Sequence, residues 1–192
     1  GNNPTDTSMD GENYKTYVDW GSNTIDMDAP NTWFLLRSSN WRYILYVRPN
    51  ANKLFGCATI DGIHGLVLLP DNWEKPSKVS FTPSTELGLI YDTEIWNSNR
   101  YFNVNGSNFN HNSYTISEWQ IMEASGAVFL SAVGAREGVT WFNYNYSGFY
   151  WTAESSTDTT SYYIKFGPQD VSWYLGLYNY YGLSVRLVRW NH

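Results

Sequence analysis

The stretch TISEWQIMEASGAVFLSAVGAREG, Thr115 to Gly138, reads first as helix and then as sheet. Thr115 and Glu118 stand at the spacing of a capping box, in which each side chain satisfies a backbone N–H that the first turn leaves open. Ile116, Trp119 and Met122 fall on one helical face. Gly126 offers the left-handed residue that commonly stops a helix. The spacing therefore predicts a helix over 116–124. From Ala127 onward the pattern changes. AVFLSAVGAREG, GVTWFNYN, GFYWTAES, SYYIKFG, VSWYLG and LSVRLVRW follow one another with Gly or Ser turns between them. Turn signals at roughly 8–12-residue spacing indicate an antiparallel sheet. In SYYIKF, alternation assigns Tyr162, Ile164 and Phe166 to one face and Tyr163 and Lys165 to the other. In LSVRLVRW it predicts a half-buried strand, with Leu183, Val185 and Leu187 inward. Phe149 and Trp151, beside Gly148, are also expected in the core.

Upstream, NWRYILYV places Trp41, Ile44 and Leu45 at helical spacing. Ser38 or Ser39 can cap this segment, and Pro49 ends it, which predicts a helix over about 39–47. TWFLL, Thr32 to Leu36, reads as a short buried strand or the approach to that helix. CATIDGIHGLVLLP reads as two strands about the Asp61–Gly62 turn, and the continuous apolar run from Leu66 to Pro70 as a buried strand. Residues 71–113 are rich in loop signals. Their Asn-dense part, NSNRYFNVNGSNFNHNS, is expected to be an exposed, poorly structured excursion. Residues 1–30 read as an irregular lead-in with one strand near 14–20, and residues 31–192 as one α+β domain with no internal repeat.

The 192 residues are 42% hydrophobic, enough for a single buried core without a covalent staple. Net charge is −6 and no basic cluster stands out, which excludes partners held by dense positive charge such as nucleic acid or anionic membrane. No apolar run is long enough to span a bilayer. Cys57 is the lone cysteine and sits in the apolar context LFGCATI, where a buried inert thiol is the expectation. The chain starts GNNPTDTSMDG, without Met, and reads as a trimmed mature form from which a signal segment has been removed.

Aromatic residues reach 18% of the chain, with 16 Tyr and 10 Trp, and crowd the C-terminal part among Asn and Ser. Large amphipathic rings beside short polar groups are the usual composition of a recognition surface. Tyr144, Tyr146, Tyr150, Trp173, Tyr174, Tyr178, Tyr180 and Tyr181 are the candidate contact rings. The alternative is that these rings pack between sheet and loops. The turns at Ser147–Gly148, Ser155–Thr160 and Gly176 must reach water. On that ground Asn143, Tyr144, Asn145, Tyr146, Ser156, Asp158, Trp173, Tyr174, Leu177, Tyr178, Asn179 and Tyr180 are expected to share one exposed, ligand-binding surface. The expected ligand is a protein or a glycan.

Chemistry has few candidates. His64, His111 and His192 are scattered, so no zinc site is expected. GPQDV, Gly167 to Val171, and PDNWE, Pro70 to Glu74, hold calcium-ligand residue types without a converging pattern. No nucleophile or phosphate-loop motif occurs. Glu154, Asp158 and Asp170 are the tail carboxylates that a glycoside-hydrolysing pair would have to draw on. No enzyme activity, metal or cofactor is expected. Arg136 and Arg186 are expected to hold the sheet edge through a carboxylate or loop carbonyls.

NWRYILYVRPNANKLFGCATIDGIHGLVLLPDNWEKP, YTISEWQIMEASGAVFLSAVGAREG, GFYWTAES and YYGLSVRLVRW, in that order, resemble the Fibrobacter-succinogenes major paralogous domain family of secreted bacterial proteins and lipoproteins. The resemblance covers roughly residues 32–190. It implies a C-type-lectin-like α+β fold, two helices flanking a twisted, mainly antiparallel sheet, related to formylglycine-generating-enzyme-like domains. Those enzymes use a cysteine pair, which this chain lacks. Some relatives are variable receptors of diversity-generating retroelements, in which adenine mutagenesis near the C-terminus yields Asn, Tyr, Ser, Asp and Thr at ligand-facing positions. The resemblance thus implies a secreted or surface-anchored receptor or adhesin, with a tail of the kind such retroelements diversify. A structural subunit of a pilus or surface assembly, and a degenerate enzyme of the same fold, are the other readings.

Overall fold

A computed structural model of the chain describes residues 24–92, 99–103 and 108–189, except for the side chains of Asn99, Asn103 and Tyr174. The strand expected near 14–20 and the end of LSVRLVRW at Trp190 lie outside the described residues.

The fold is α+β with mostly antiparallel pairing. In chain order the elements are β1 (Phe34–Leu35), α1 (Ser38–Arg42), β2 (Phe55–Ile60), β3 (Ile63–Leu68), β4 (Leu89–Asp92), β5 (Asn99–Asn103), β6 (Ser113–Tyr114), α2 (Ile116–Ala124), β7 (Val128–Ser131), β8 (Ala135–Glu137), β9 (Thr140–Phe142), β10 (Gly148–Ser155), β11 (Thr160–Phe166), β12 (Asp170–Tyr178), β13 (Tyr181–Gly182) and β14 (Leu187–Val188). They form a four-stranded sheet β6-β2-β3-β7, a five-stranded sheet β10-β11-β12-β5-β4 and a ribbon β13-β8-β9, while β1 pairs with β14.

The apolar run at Leu66 explains the layering. β2 and β3 pair in register about Asp61 and Gly62, both in the left-handed region, where Asp and Gly are the least strained residues. Phe55, Cys57, Leu66 and Leu68 face one core with Trp41, Tyr150, Ile164, Phe166, Val171 and Trp173. Ala58, Ile60, Val67 and Leu69 face a second core with Met122 and Tyr114. The four-stranded sheet is thus covered on both faces, which is why its strands are apolar at consecutive positions.

Helix α2 spans 116–124, as the sequence predicts. Thr115 Oγ1 accepts from Glu118 N, and Glu118 Oε2 accepts from Thr115 N at 2.8 Å. The Thr115 N–H and hydroxyl, both donating to it, hold the Glu118 carboxyl below the ordinary value. Its buried stripe starts late: Met122 is enclosed, Trp119 and Ile121 are half-buried, and Ile116 is exposed.

The first helix departs from expectation in two ways. Its α-helical part is Ser38–Arg42, and Tyr43–Val47 forms a π-helical turn in which Arg48 N donates to Tyr43 O. The cap is not Ser38 or Ser39. The Ser38 N–H donates to Glu154 Oε2 at 2.7 Å, from a residue 116 positions away, and Arg37 N donates to Asn40 Oδ1. A carboxylate on β10 therefore satisfies an open donor of the first turn.

The Asn-dense segment is corrected most. Rather than an exposed excursion it contributes β5, an interior strand between β12 and β4. Tyr101 is buried against Phe55 and Trp173. Asn112 is also buried. Its Nδ2 donates to Cys57 O and Thr82 O, and its Oδ1 accepts from Thr82 N at 2.8 Å. A buried amide with both ends bonded acts as a backbone surrogate between loop and strand.

At the C-terminal end, Phe149, Ile164 and Phe166 are buried, whereas Trp151 and Tyr162 are half-buried. The expected strand over LSVRLVRW is reduced to Leu187–Val188 plus one parallel bridge from Ser184 to Tyr150. Leu183, Val185 and Leu187 are accordingly half-buried rather than enclosed. Ser184 bridges Tyr150 of β10, while Leu187 pairs with Leu35 of β1.

Candidate ligand-binding surface

The candidate residues separate into two groups. The first surrounds the β10–β11 turn and the end of β12. Ser156 N donates to Thr160 O at 2.8 Å, and Thr157 Oγ1 accepts from Thr159 N and Thr160 N. Ser156 and Asp158 are exposed on this turn. The turn after β12 is tied to it, because Asn179 N donates to Thr159 O at 2.9 Å and Ser161 Oγ donates to Asn179 Oδ1 at 2.8 Å. Asn179 and Leu177 are half-buried, while Tyr178 is 51% and Tyr180 64% exposed.

Those two rings stack with centroids 5.4 Å apart and planes 10° apart. Tyr180 continues onto Tyr181 at 4.8 Å, and Tyr181 meets Phe142 edge-on at 6.1 Å. Phe142 then packs edge-on against buried Phe149. A row of rings therefore runs from the core to solvent. Its outer members stand on backbone that hydrogen bonds hold in place, so little side-chain freedom remains to be lost when a ligand covers them. Desolvation and the Glu137 carboxylate push the Tyr181 phenol up to about 12, so it stays neutral.

The second group is the turn Asn143–Tyr146, which leads into β10. Asn143 and Asn145 both take positive φ, at 55° and 53°, a conformation that Asn tolerates better than most residues. Tyr144 and Tyr146 are exposed. Asn145 is not an open contact. Its Oδ1 accepts from His64 N at 2.7 Å, its Nδ2 donates to Gly62 O, and its carbonyl lies 2.6 Å from His64 Nδ1. It clamps the turn onto the β2–β3 hairpin. Gly134 lets the chain pass beneath, since a Cβ there would lie 2.3 Å from Phe142 O. The contact between Phe142 and Tyr181 joins the two groups.

Two candidate rings are corrected. Trp173 is completely buried, where it meets Tyr46, Tyr91 and Tyr101. It sits on a stretch of β12 paired with β11 on one side and β5 on the other, so it is core and not surface. Tyr150 is also buried, its hydroxyl donating to Ser131 O at 3.0 Å. Tyr174 belongs to β12, but its side chain lies outside the described residues.

The remaining candidates have structural partners. Asp170 is bonded by Lys165 Nζ at 2.9 Å, and Gly167 O accepts from Cys57 Sγ, so GPQDV is a closed hairpin turn. Asp71 of PDNWE is paired with Arg48 at 2.8 Å. Among the described residues no three His, Cys, Asp or Glu side chains gather as a metal-ligand group. Cys57 is buried, and desolvation pushes its thiol up to about 12. Among the described residues Arg136 bonds no carboxylate. Its guanidinium lies over the Trp141 ring, 5.9 Å from the centroid. Arg186 is exposed.

Trp141, 64% exposed, is a surface ring missed by the sequence reading. The signal was the two-residue loop Gly138–Val139, which sets Arg136 directly across from Trp141. Among the described residues no helix is long and apolar enough to cross a membrane. Comparison of the chain with family models, curated proteins and solved structures finds no match.

Proposed function

We propose that this chain is a ligand-binding domain of receptor or adhesin type, whose recognition surface is the row Tyr178–Tyr180–Tyr181 with Ser156, Asp158 and the Tyr144–Tyr146 turn beside it. The observation carrying this reading is the pair of exposed, mutually stacked tyrosines on a turn fixed by Asn179. Tyrosine on rigid backbone supplies contact area at low entropic cost, and buried aromatic anchors are worth about 2 kcal/mol or more each in an interface. Tyr144 and Tyr146 stand on a turn clamped through Asn145 in the same manner. Among the described residues no group of three His, Cys, Asp or Glu side chains gathers as a metal-ligand group, and the reading is recognition without chemistry.

The finer architecture we propose is C-type-lectin-like. Pairing of the first and last described strands, and helices on either side of the sheets, support it. With the family resemblance, this supports reading the chain as a secreted or cell-surface bacterial protein, with its exposed Tyr, Asn and Ser positions as the sites a diversity-generating retroelement would vary.

The test is the double variant Tyr178→Ala, Tyr180→Ala, assayed beside the parent on immobilised glycans and surface proteins. The expected result is a ligand bound by the parent and lost by the variant, with melting lowered by only a few degrees. Equal binding by both proteins would refute the reading.

A second reading, a subunit of a surface assembly, is favoured by another patch. Tyr43, Tyr46 and Val47 are exposed on the π-helical turn, and apolar surface of this kind is commonly covered in an assembly. Sedimentation at increasing concentration separates the two, since an assembly subunit would self-associate.

A further inference from the structure

Tyr180 has a ring against each side, Tyr178 at 5.4 Å with planes 10° apart and Tyr181 at 4.8 Å with planes 26° apart. The row therefore spends its faces on itself. A sugar settles its C–H bonds, which carry partial positive charge, on the negative face of an open ring. In the Tyr178–Tyr180 pair the stack leaves one such face free, the outer side of Tyr178. What the row turns to solvent is a strip of ring edges, since both of these rings are exposed. Edges carry partial positive charge, and they suit the carbonyl groups and aliphatic stems of a polypeptide lying along them.

Each end of the strip carries an exposed carboxylate. At the inner end Glu137 is the cross-strand partner of Tyr181, and burial together with the Glu137 charge holds the Tyr181 proton in place. At the outer end Tyr178 pairs with Thr160, whose carbonyl closes the turn bearing Asp158. Among the described residues neither carboxylate has a cation within ion-pair distance. The nearby cations are engaged elsewhere. Alternation sends Arg136 to the opposite face of the ribbon from Glu137, over Trp141. Lys165 is paired with Asp170 at the far end of β11 from Thr160. The Arg186 guanidinium acts on the Tyr150 phenol.

We propose, resting on the reading of the tyrosine row as a recognition surface, that the row takes an extended, basic segment of a protein ligand. One cationic side chain lies at Glu137 and a second at Asp158, and the segment between them runs along the ring edges. Two ring spacings, 5.4 and 4.8 Å, separate Tyr178 from Tyr181, so cationic residues four positions apart in an extended chain, about 13 Å, reach past both end rings. The two separated negative charges repel an anionic ligand, and the covered ring faces deny a glycan its platform. A net charge of −6 draws a basic partner toward the chain as a whole.

The experiment is fluorescence anisotropy of labelled peptides titrated with the whole chain. One peptide carries Arg-Thr-Val-Thr-Arg between Gly-Ser flanks, and the other has both arginines replaced by glutamine. The basic peptide is expected to bind at least about tenfold more tightly, the scale of one charge-assisted hydrogen bond, and to weaken as salt is raised. Glu137→Gln combined with Asp158→Asn keeps every ring and should abolish that difference, with circular dichroism checking that the variant is folded. Absence of binding by the basic peptide would overturn the proposal. So would equal affinity for the two peptides, or an unchanged difference in the folded charge variant. Displacement of the basic peptide by spermine as efficiently as by unlabelled peptide would make a free polyamine the ligand, and the proposal wrong. Failure of the underlying reading looks different. A row that captures a glycan through its tyrosines while ignoring the basic peptide remains a recognition surface and refutes only its basic occupant. Basic peptide bound equally by the parent and by Tyr178→Ala, Tyr180→Ala refutes the row itself.

Discussion

The Nε of Arg48 donates to the carbonyl oxygen of Ile44 at 2.6 Å. In an α-helix that carbonyl would receive the Arg48 N–H, which here reaches back to Tyr43 instead. The side chain thus takes the place of its own backbone and opens the turn from α to π geometry. Its Nη1 also bonds Leu69 O at 2.9 Å and Asp71 at 2.8 Å. Arg48→Met should therefore cost about 2–3 kcal/mol by stranding buried carbonyls. Asp71→Ala should cost less than about 1 kcal/mol, because Asp71 is largely exposed. Urea denaturation of both variants checks the ordering.

Thr115→Ala should lower stability by about 1 kcal/mol through loss of the α2 cap. For a chain of this size that is a melting shift of about 2–4 °C. Glu118→Gln retains an acceptor for Thr115 N and should lower it less.

Trp173 and Tyr178 belong to the same strand and should respond by very different amounts. Trp173→Ala removes a completely buried indole and should cost about 3–5 kcal/mol. Tyr178→Ala removes one stacking contact at the surface and should cost about 1 kcal/mol. Thermal melts with similar shifts for the two would contradict the burial described here.

Cys57 should resist alkylation in the folded chain at pH 8 and react once the chain is unfolded in urea, because its folded value of about 12 keeps it a thiol. The same shift has a stability consequence. Tyr101 and Tyr114 are also pushed up to about 12, mainly by burial. In the unfolded chain these groups lose protons at their ordinary, lower values, so above them the unfolded state binds fewer protons than the folded one. Stability conferred by the three groups is complete below pH 9 or so and falls as pH rises toward about 12. A melting temperature that stayed flat from pH 8 to 11 would be the contrary result.

Asn145→Ala should loosen the turn that presents Tyr144 and Tyr146 while leaving the cores intact. It strips the acceptor from His64 N and should cost about 1–3 kcal/mol. Hydrogen exchange at the His64 amide is the direct readout, and unchanged protection there would show that the clamp is dispensable.

Local chemistry was legible where one segment contained both members of an interaction. Thr115 and Glu118 announce α2, Asp61–Gly62 announces the β2–β3 hairpin, and the run at Leu66 announces a strand covered on both faces. What escaped depended on distant partners. Nothing near Ser38 indicates that its amide will meet Glu154. Tyr101 and Phe102 are too few apolar residues to mark β5 among asparagines, and that omission propagated. Without β5, β12 reads as a tail strand with its rings facing water. With β5 beside it, Trp173 has strands on both sides and is enclosed. Tyr178 and Tyr180 stay outside because β5 pairs with β12 only over Asp170–Trp173.

The pairing of β1 with β14 has a mechanical consequence. Phe34 stands opposite Val188 and Leu35 opposite Leu187, antiparallel, so the described chain enters and leaves the domain at one place. A force applied through these two ends pulls across the strands and peels their bonds one after another, instead of shearing them all together. Held by one end, for example on a cell exterior, the domain bears no load along this seam. Drawn from both ends, it should give way first here, at low force, while the two cores and the turns carrying Tyr144 and Tyr178 are still in place.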